Sequence, residues 1–272
     1  VSAFTHRRAA PAVYIDRGYG GQLALTRRFL PRASVSTAYR FEITRVEASE
    51  VYYCVNYGVC DRTTINARQA HRRLSPLQLS AAIDRSDAAF SPTKGYVARM
   101  DLEHASRVTM SDFDYNRAYA DAALYTHFRY PSRDPRAQVL ATHLRLGWVQ
   151  SPGLEPLHPR SRFYAGGSQS VRGYGENQLG PKILTVPHAE LAAANGAGCD
   201  TTSAVGVSSC SPNAPGLESR DFTVRPVGGT SLLEASVEYR MPLGRKTAWA
   251  VFLDGALVGG SAIGDLSATL QL

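Results

Sequence analysis

Long runs with a period of two constrain this chain more than any other feature. From Ala33 to Thr44 one face reads Ala33, Val35, Thr37, Tyr39, Phe41, Ile43, and the other Ser34, Ser36, Ala38, Arg40, Glu42, Thr44. Leu77, Leu79, Ala81 and Ile83 oppose Gln78, Ser80, Ala82 and Asp84. Further runs begin near Tyr96, Arg117, Gln138 and Leu233. Alternation at every second residue belongs to strands with two unlike faces. It predicts antiparallel strands near 33–45, 75–86, 95–106, 115–130, 136–149, 230–241 and 247–257. Residues 1–74 carry the pattern more weakly. No helix of useful length is expected; residues 189–194 allow a turn or two before Gly196 and Gly198.

A soluble sandwich alternates too. Three observations favour a membrane barrel. The runs are about 10–13 residues long, which suits a tilted crossing, whereas soluble strands average about 5–6. Aromatics stand near the run ends, at Tyr96, Phe128, Tyr130, Trp148, Tyr239 and Trp249, as interfacial girdles do. Connections alternate short and long: Leu30-Pro31-Arg32, 87–94, 130–136 and 242–246 are short, whereas 46–73 and 150–228 are long. Bacterial outer-membrane barrels have short periplasmic turns and longer outer loops, so the alternation assigns a side to each connection.

Composition removes other classes. With 44% hydrophobic residues the chain holds no run near the ~18 a membrane helix needs. No charged segment followed by an apolar core opens it, so no signal peptide is visible. The net charge is +7, but its basic residues are scattered among acids, as in Arg99-Met100-Asp101, so nucleic acid is not an expected partner. No phosphate or dinucleotide fingerprint is present. The histidines show no metal-ligand spacing, and the cysteines lack Cys-x-x-Cys spacing. No metal and no cofactor are expected.

The long segment after residue 150 holds Phe163-Tyr164-Ala165-Gly166-Gly167, then Val171-Arg172-Gly173-Tyr174, then Leu179-Gly180-Pro181-Lys182. Glycines permit positive φ and close approach. Arg172 brings five fixed donors that need acceptors. The cysteines form two close pairs, Cys54/Cys60 and Cys199/Cys210, both in long outer loops. In an oxidising compartment that implies two disulfides; four free thiols in a cytosolic protein is the alternative.

These motifs resemble the Omp85 superfamily, the bacterial surface antigen D15 barrels. Its hallmark is a Val-Arg-Gly-Phe/Tyr tetrapeptide in the sixth extracellular loop, here Val171-Arg172-Gly173-Tyr174. Val227-Gly228-Gly229 followed by Ser236-Val237-Glu238-Tyr239-Arg240 fits the next segment, and Phe252-Leu253-Asp254 the strand after it. There the family's Phe-x-Asp-x-Gly is broken: glycine stands one place early, at Gly255, with Ala256 in its usual position. The cysteine pair inside the extended loop, after Gly180-Pro181-Lys182 and Pro187-His188, resembles the BamA branch more than the TamA branch.

The resemblance implies an all-β, antiparallel transmembrane β-barrel with its long extracellular loop folded into the lumen. The strand count implies an incomplete barrel that lacks C-terminal strands and a closing partner at each end, because an open edge in lipid leaves donors unsatisfied. Residues 1–272 are expected to form one partial barrel domain without a POTRA domain. By strand parity Glu238 and Asp254 face the lumen on adjacent strands, where a guanidinium between them gains charge-assisted hydrogen bonds. Arg172 is the expected latch, Tyr174 is expected against the lumen wall, and neither acid has another obvious partner nearby in sequence. His127 and His143 face the lumen with Asp121 as a possible neighbour, but no catalytic site is expected. The resemblance implies a non-enzymatic assembly factor in the outer membrane of a Gram-negative bacterium. Its partners would be unfolded outer-membrane β-barrel clients, lipids and lipopolysaccharide, and accessory lipoproteins reached through the absent POTRA domains. A TamA-like translocation barrel, a passive porin-like channel and a lipolytic barrel enzyme are the alternatives.

Overall fold

The computed structural model describes residues 1–10, 13–48, 65, 69–128, 138–152, 157–200, 209–243 and 247–260. Its main sheet has 10 strands. In chain order these are β1 (Ser2–Ala10), β2 (Tyr14–Leu30), β3 (Ala33–Ala48), β4 (Arg72–Leu74), β5 (Leu77–Asp84), β6 (Gly95–Ala105), β7 (Tyr115–Phe128), β8 (Gln138–Gln150), β11 (Ser231–Pro242) and β12 (Ala248–Gly259). Neighbours run β1-β2-β3-β5-β6-β7-β8-β11-β12, all antiparallel, with β4 beside β3. Among the described residues the sheet is open, as an incomplete barrel is.

Two short strands, β9 (Lys182–Thr185) and β10 (Thr223–Pro226), pair as a separate hairpin inside the long loop. A short helix, α1 (His188–Asn195), follows β9. The hairpin is absent from the sequence expectation because four-residue strands are too short to show a period. The helix exceeds the expected turn or two only slightly. No described helix is long and apolar enough to cross a membrane.

The faces segregate as the parity requires. Leu233 and Val237 are 40% and 44% exposed on the outer face, while Glu234 between them is 3% exposed. Leu25, Leu79, Met100, Leu124, Leu146, Trp148 and Leu253 are likewise turned outward and exposed. An apolar outer face of that extent is stable against lipid, not water. The inner face carries the buried polar residues Asp16, Glu42, Thr44 and Glu234. The apolar core lies on this side, where the long loop meets the wall: Phe163 and Ala165 pack with Tyr115, Val149, Leu157, Leu232 and Val258.

Candidate functional site

The loop between β8 and β11 is seated by local backbone chemistry. The Gly167 N–H donates to Tyr174 O at 3.1 Å, and the Tyr174 N–H to Val171 O at 3.4 Å. Val171 to Tyr174 is therefore a tight turn with Arg172 and Gly173 at its centre. Gly173 has φ 92°, the left-handed value that the third position of a type II turn demands of glycine. Gly166 and Gly167 also lie in this region, at φ 103° and 102°. Val171 is buried, Tyr174 half-buried, and Arg172 projects toward the wall. Gly147 of β8 makes room for the loop: a Cβ there would lie 2.5 Å from the Phe163 ring, which stacks on Tyr119.

Arg172 meets both expected acids. Its Nε and Nη2 donate to Asp254 Oδ2 and Oδ1 at 2.7 and 2.8 Å, a bidentate pair. Its backbone N–H reaches Asp254 Oδ2 at 3.1 Å, and Nη1 reaches Glu238 Oε2 at 2.5 Å. The guanidinium carbon lies 3.5 Å from the centre of the Phe252 ring. Hydrogen bonds to Asp254, and then to Glu238, hold the Arg172 charge more firmly than usual.

The acids are not otherwise without partners, which corrects the sequence expectation. Arg240 Nε donates to Glu238 Oε1 at 2.6 Å, and Ser236 Oγ to Asp254 Oδ1 at 2.7 Å. Both were legible, since residues two apart in a strand share a face and Ser236 lies directly opposite Asp254.

Two further arginine centres hold the same loop. On β8, Arg145 donates to Asp121 Oδ2 and Glu234 Oε1, each at 2.9 Å, and to the loop carbonyl of Gln169 at 2.7 Å. Ser170 Oγ donates to Glu234 Oε2 at 2.6 Å. His143 Nε2 lies 2.9 Å from Asp121 Oδ1. These groups are mutually paired.

The third centre escaped the sequence reading. Arg160, in the turn Pro159–Ser161, donates through Nη1 to Asp16 Oδ2 at 2.9 Å and Glu42 Oε1 at 3.0 Å, and through Nη2 to Glu42 Oε2 at 3.1 Å. Both carboxylates are fully buried. Thr44 Oγ1 donates to Asp16, and Arg40 Nε lies 2.6 Å from Glu42 Oε2. His158 is wholly buried against the edge of Phe113, its Nε2 3.9 Å from Asp16 Oδ1. Burial first, and then the Arg160 charge, push its imidazole down to about 3. His6, Asp16 and Glu42 have donor atoms within 4.8 Å of one another, a set that could hold a metal. Arg160 Nη1 bonds both carboxylates there, so a guanidinium already supplies the cation.

Cys199 and Cys210 are joined, with an S–S separation of 1.98 Å. Cys54 and Cys60 lie outside the described residues.

An amphipathic antiparallel sheet whose own long loop is ion-paired to its polar inner face defines a class, the plugged membrane β-barrel. The model of the Omp85 superfamily domain matches residues 1–269, and the chain belongs to that superfamily. Among solved structures it is similar to BamA from Haemophilus ducreyi lacking POTRA domains 1–3, with a TM-score of 0.64 and 18% identity. The match covers 94% of this chain and 45% of that one, so the chain spans less than half of the relative's length. At that identity the likeness is one of fold.

Proposed function

We propose that this chain is the barrel portion of an outer-membrane assembly factor of the BamA type, which folds and inserts other β-barrel proteins. The observation that carries the reading is the seating of Arg172 on Asp254 and Glu238. A loop tied at three arginines lies against the inner face, an arrangement that serves a passive channel poorly. Lowering an insertion barrier needs no covalent chemistry. In this reading a client strand adds to an exposed strand edge by main-chain hydrogen bonding. Residues 1–272 act as one barrel domain of a diderm outer membrane, with Arg172 as structural latch. Unfolded barrels and lipids are the direct partners; lipoproteins would dock on periplasmic domains of the full protein.

The test is reconstitution of the full-length protein in liposomes, followed by protease protection of an unfolded barrel client. Faster insertion than in empty liposomes, slowed by Arg172→Ala, is expected. Unchanged client insertion together with steady ion conductance would replace the reading with a channel.

A further inference from the structure

The outer face is uneven between β2 and β7. There a shallow groove of ≈ 370 Å³ is floored by Ala81, Ala98, Ala120 and Ala122 and walled by Phe29 and Met100. The register explains it. Ala98 lies opposite Ala122 and Met100 opposite Ala120, while Ala81 lies opposite Val35 on one side and Met100 on the other. Small side chains thus meet across three adjacent strands, β5 to β7, where their neighbours are long. Each strand there is paired on both sides, so the groove offers no edge to which a protein strand could add.

A cation stands beside it. Arg27 is directly opposite Val35, a groove residue, and therefore faces outward near the β2–β3 turn, the short-turn end. Its guanidinium lies 5.1 Å from the centre of the Phe29 ring. Among the described residues no carboxylate pairs with it. At the long-loop end the outward Arg17 is matched by Glu47 at 3.4 Å. Asp87, an acid in the short β5–β6 turn, is engaged by Thr93 and by the Lys94 backbone. A guanidinium on a lipid-facing wall extends its charge to headgroup depth, and its fork suits phosphate oxygens.

We propose that this groove and Arg27 form a binding site for one anionic glycerophospholipid in the leaflet on the short-turn side. An acyl chain lies along the alanine floor, and the phosphate rests on Arg27. A zwitterionic lipid brings its own ammonium to the phosphate and gains less. The site is a property of the outer face and stands apart from the assembly reading.

The test uses the full-length protein in nanodiscs of phosphatidylethanolamine with a minority of phosphatidylglycerol. Lipid retained after gentle extraction is read by native mass spectrometry. Several-fold enrichment of phosphatidylglycerol over its share of the bilayer is expected. Arg27→Gln should abolish the enrichment, and Arg27→Lys should keep part of it. Ala98→Leu with Ala122→Leu, which fills the floor, should lower retention of both lipids. Heat-modified mobility on gels checks that each variant is folded. Equal retention of the two lipids by the unaltered protein, or enrichment that survives Arg27→Gln, would overturn the proposal. So would retention of lipid A in place of phosphatidylglycerol.

Discussion

Arg160 and Arg172 stand twelve positions apart in one loop, yet they meet the wall in opposite ways. Arg172 is 29% exposed against 18% for Arg160, and it reaches β11 and β12, where Glu238 is 18% exposed, Asp254 is 2% exposed, and each has a further partner in Arg240 or Ser236. Arg160 reaches β2 and β3, where Asp16 and Glu42 are 0% exposed. A wet pair is screened and adds little to stability. A buried pair is costly to break, because its survivor keeps an uncompensated charge. The loop is thus fixed hard to the N-terminal strands and more loosely to the C-terminal ones. Arg160 is the deeper anchor and Arg172 the more exposed contact.

The largest effect should come from Arg160→Ala. It leaves two buried carboxylates with Arg40 and His6 beside Glu42, and Thr44 and a neutral His158 beside Asp16. Breaking such a pair costs about 3–5 kcal/mol. The urea midpoint of the folded full-length barrel should fall clearly. Adding Glu42→Gln to Arg160→Ala should recover part of the loss, as a double-mutant cycle would show. Loss confined to loop proteolysis, with an unchanged midpoint, would erase the contrast between the two arginines.

Arg172→Ala should be milder for the barrel, about 1 kcal/mol after allowance for solvent. Asp254 is the more dependent acid, since its side chain is 2% exposed and Arg172 binds it in two places. Asp254→Asn should therefore loosen the loop more than Glu238→Gln, read as the rate of limited proteolysis. Client insertion should slow in the same order. Equal effects would mean that Glu238 depends on Arg172 as fully as Asp254 does.

Acid should act on the anchor before the latch. His158 is neutral when folded, its pKa held at about 3, against an ordinary value of 6.5 when unfolded. Between those values the unfolded chain binds a proton that the folded one refuses. Stability from this group is therefore complete above about pH 6.5 and is lost progressively as pH falls toward 3. Arg160, Asp16, His6 and Arg72 face the ring, and Phe113 covers it. His158→Asn should flatten the fall in urea midpoint between pH 7 and pH 5. An identical slope in both proteins would move the acid sensitivity to another group.

What could be read in advance follows the same division. Alternation revealed β3 and β5 to β8, because each carries unbroken apolar and polar faces. It blurred in β2, where Gly18, Gly20 and Gly21 interrupt the pattern and Arg27-Arg28 blurs its end. Those glycines have a packing reason. A Cβ at Gly18 would lie 2.8 Å from Glu42 Oε1, and one at Gly20 2.0 Å from Phe41 O. Arg172 was found because it sits in a family tetrapeptide. Arg160 sits in none, and its acids are 144 and 118 positions away. The available signal was two inward acids, Asp16 and Glu42, on adjacent strands.

The smallest effect on the barrel should come from reducing Cys199–Cys210. The bridge spans a sequence separation of 11, and both ends lie in the loop beyond β9 and α1. Chain-entropy arguments give about 3 kcal/mol for a closed loop of that size, but the gain is local to it. None of the three arginine centres shares a residue with this segment. Reduction should therefore speed cleavage of the outer loop and leave the urea midpoint and the Arg160 response unchanged. A fall in midpoint comparable to that of Arg160→Ala would mean that the cap and the anchor unfold as one unit. The loop would then be a single rigid plug, and the contrast between its two arginines would disappear.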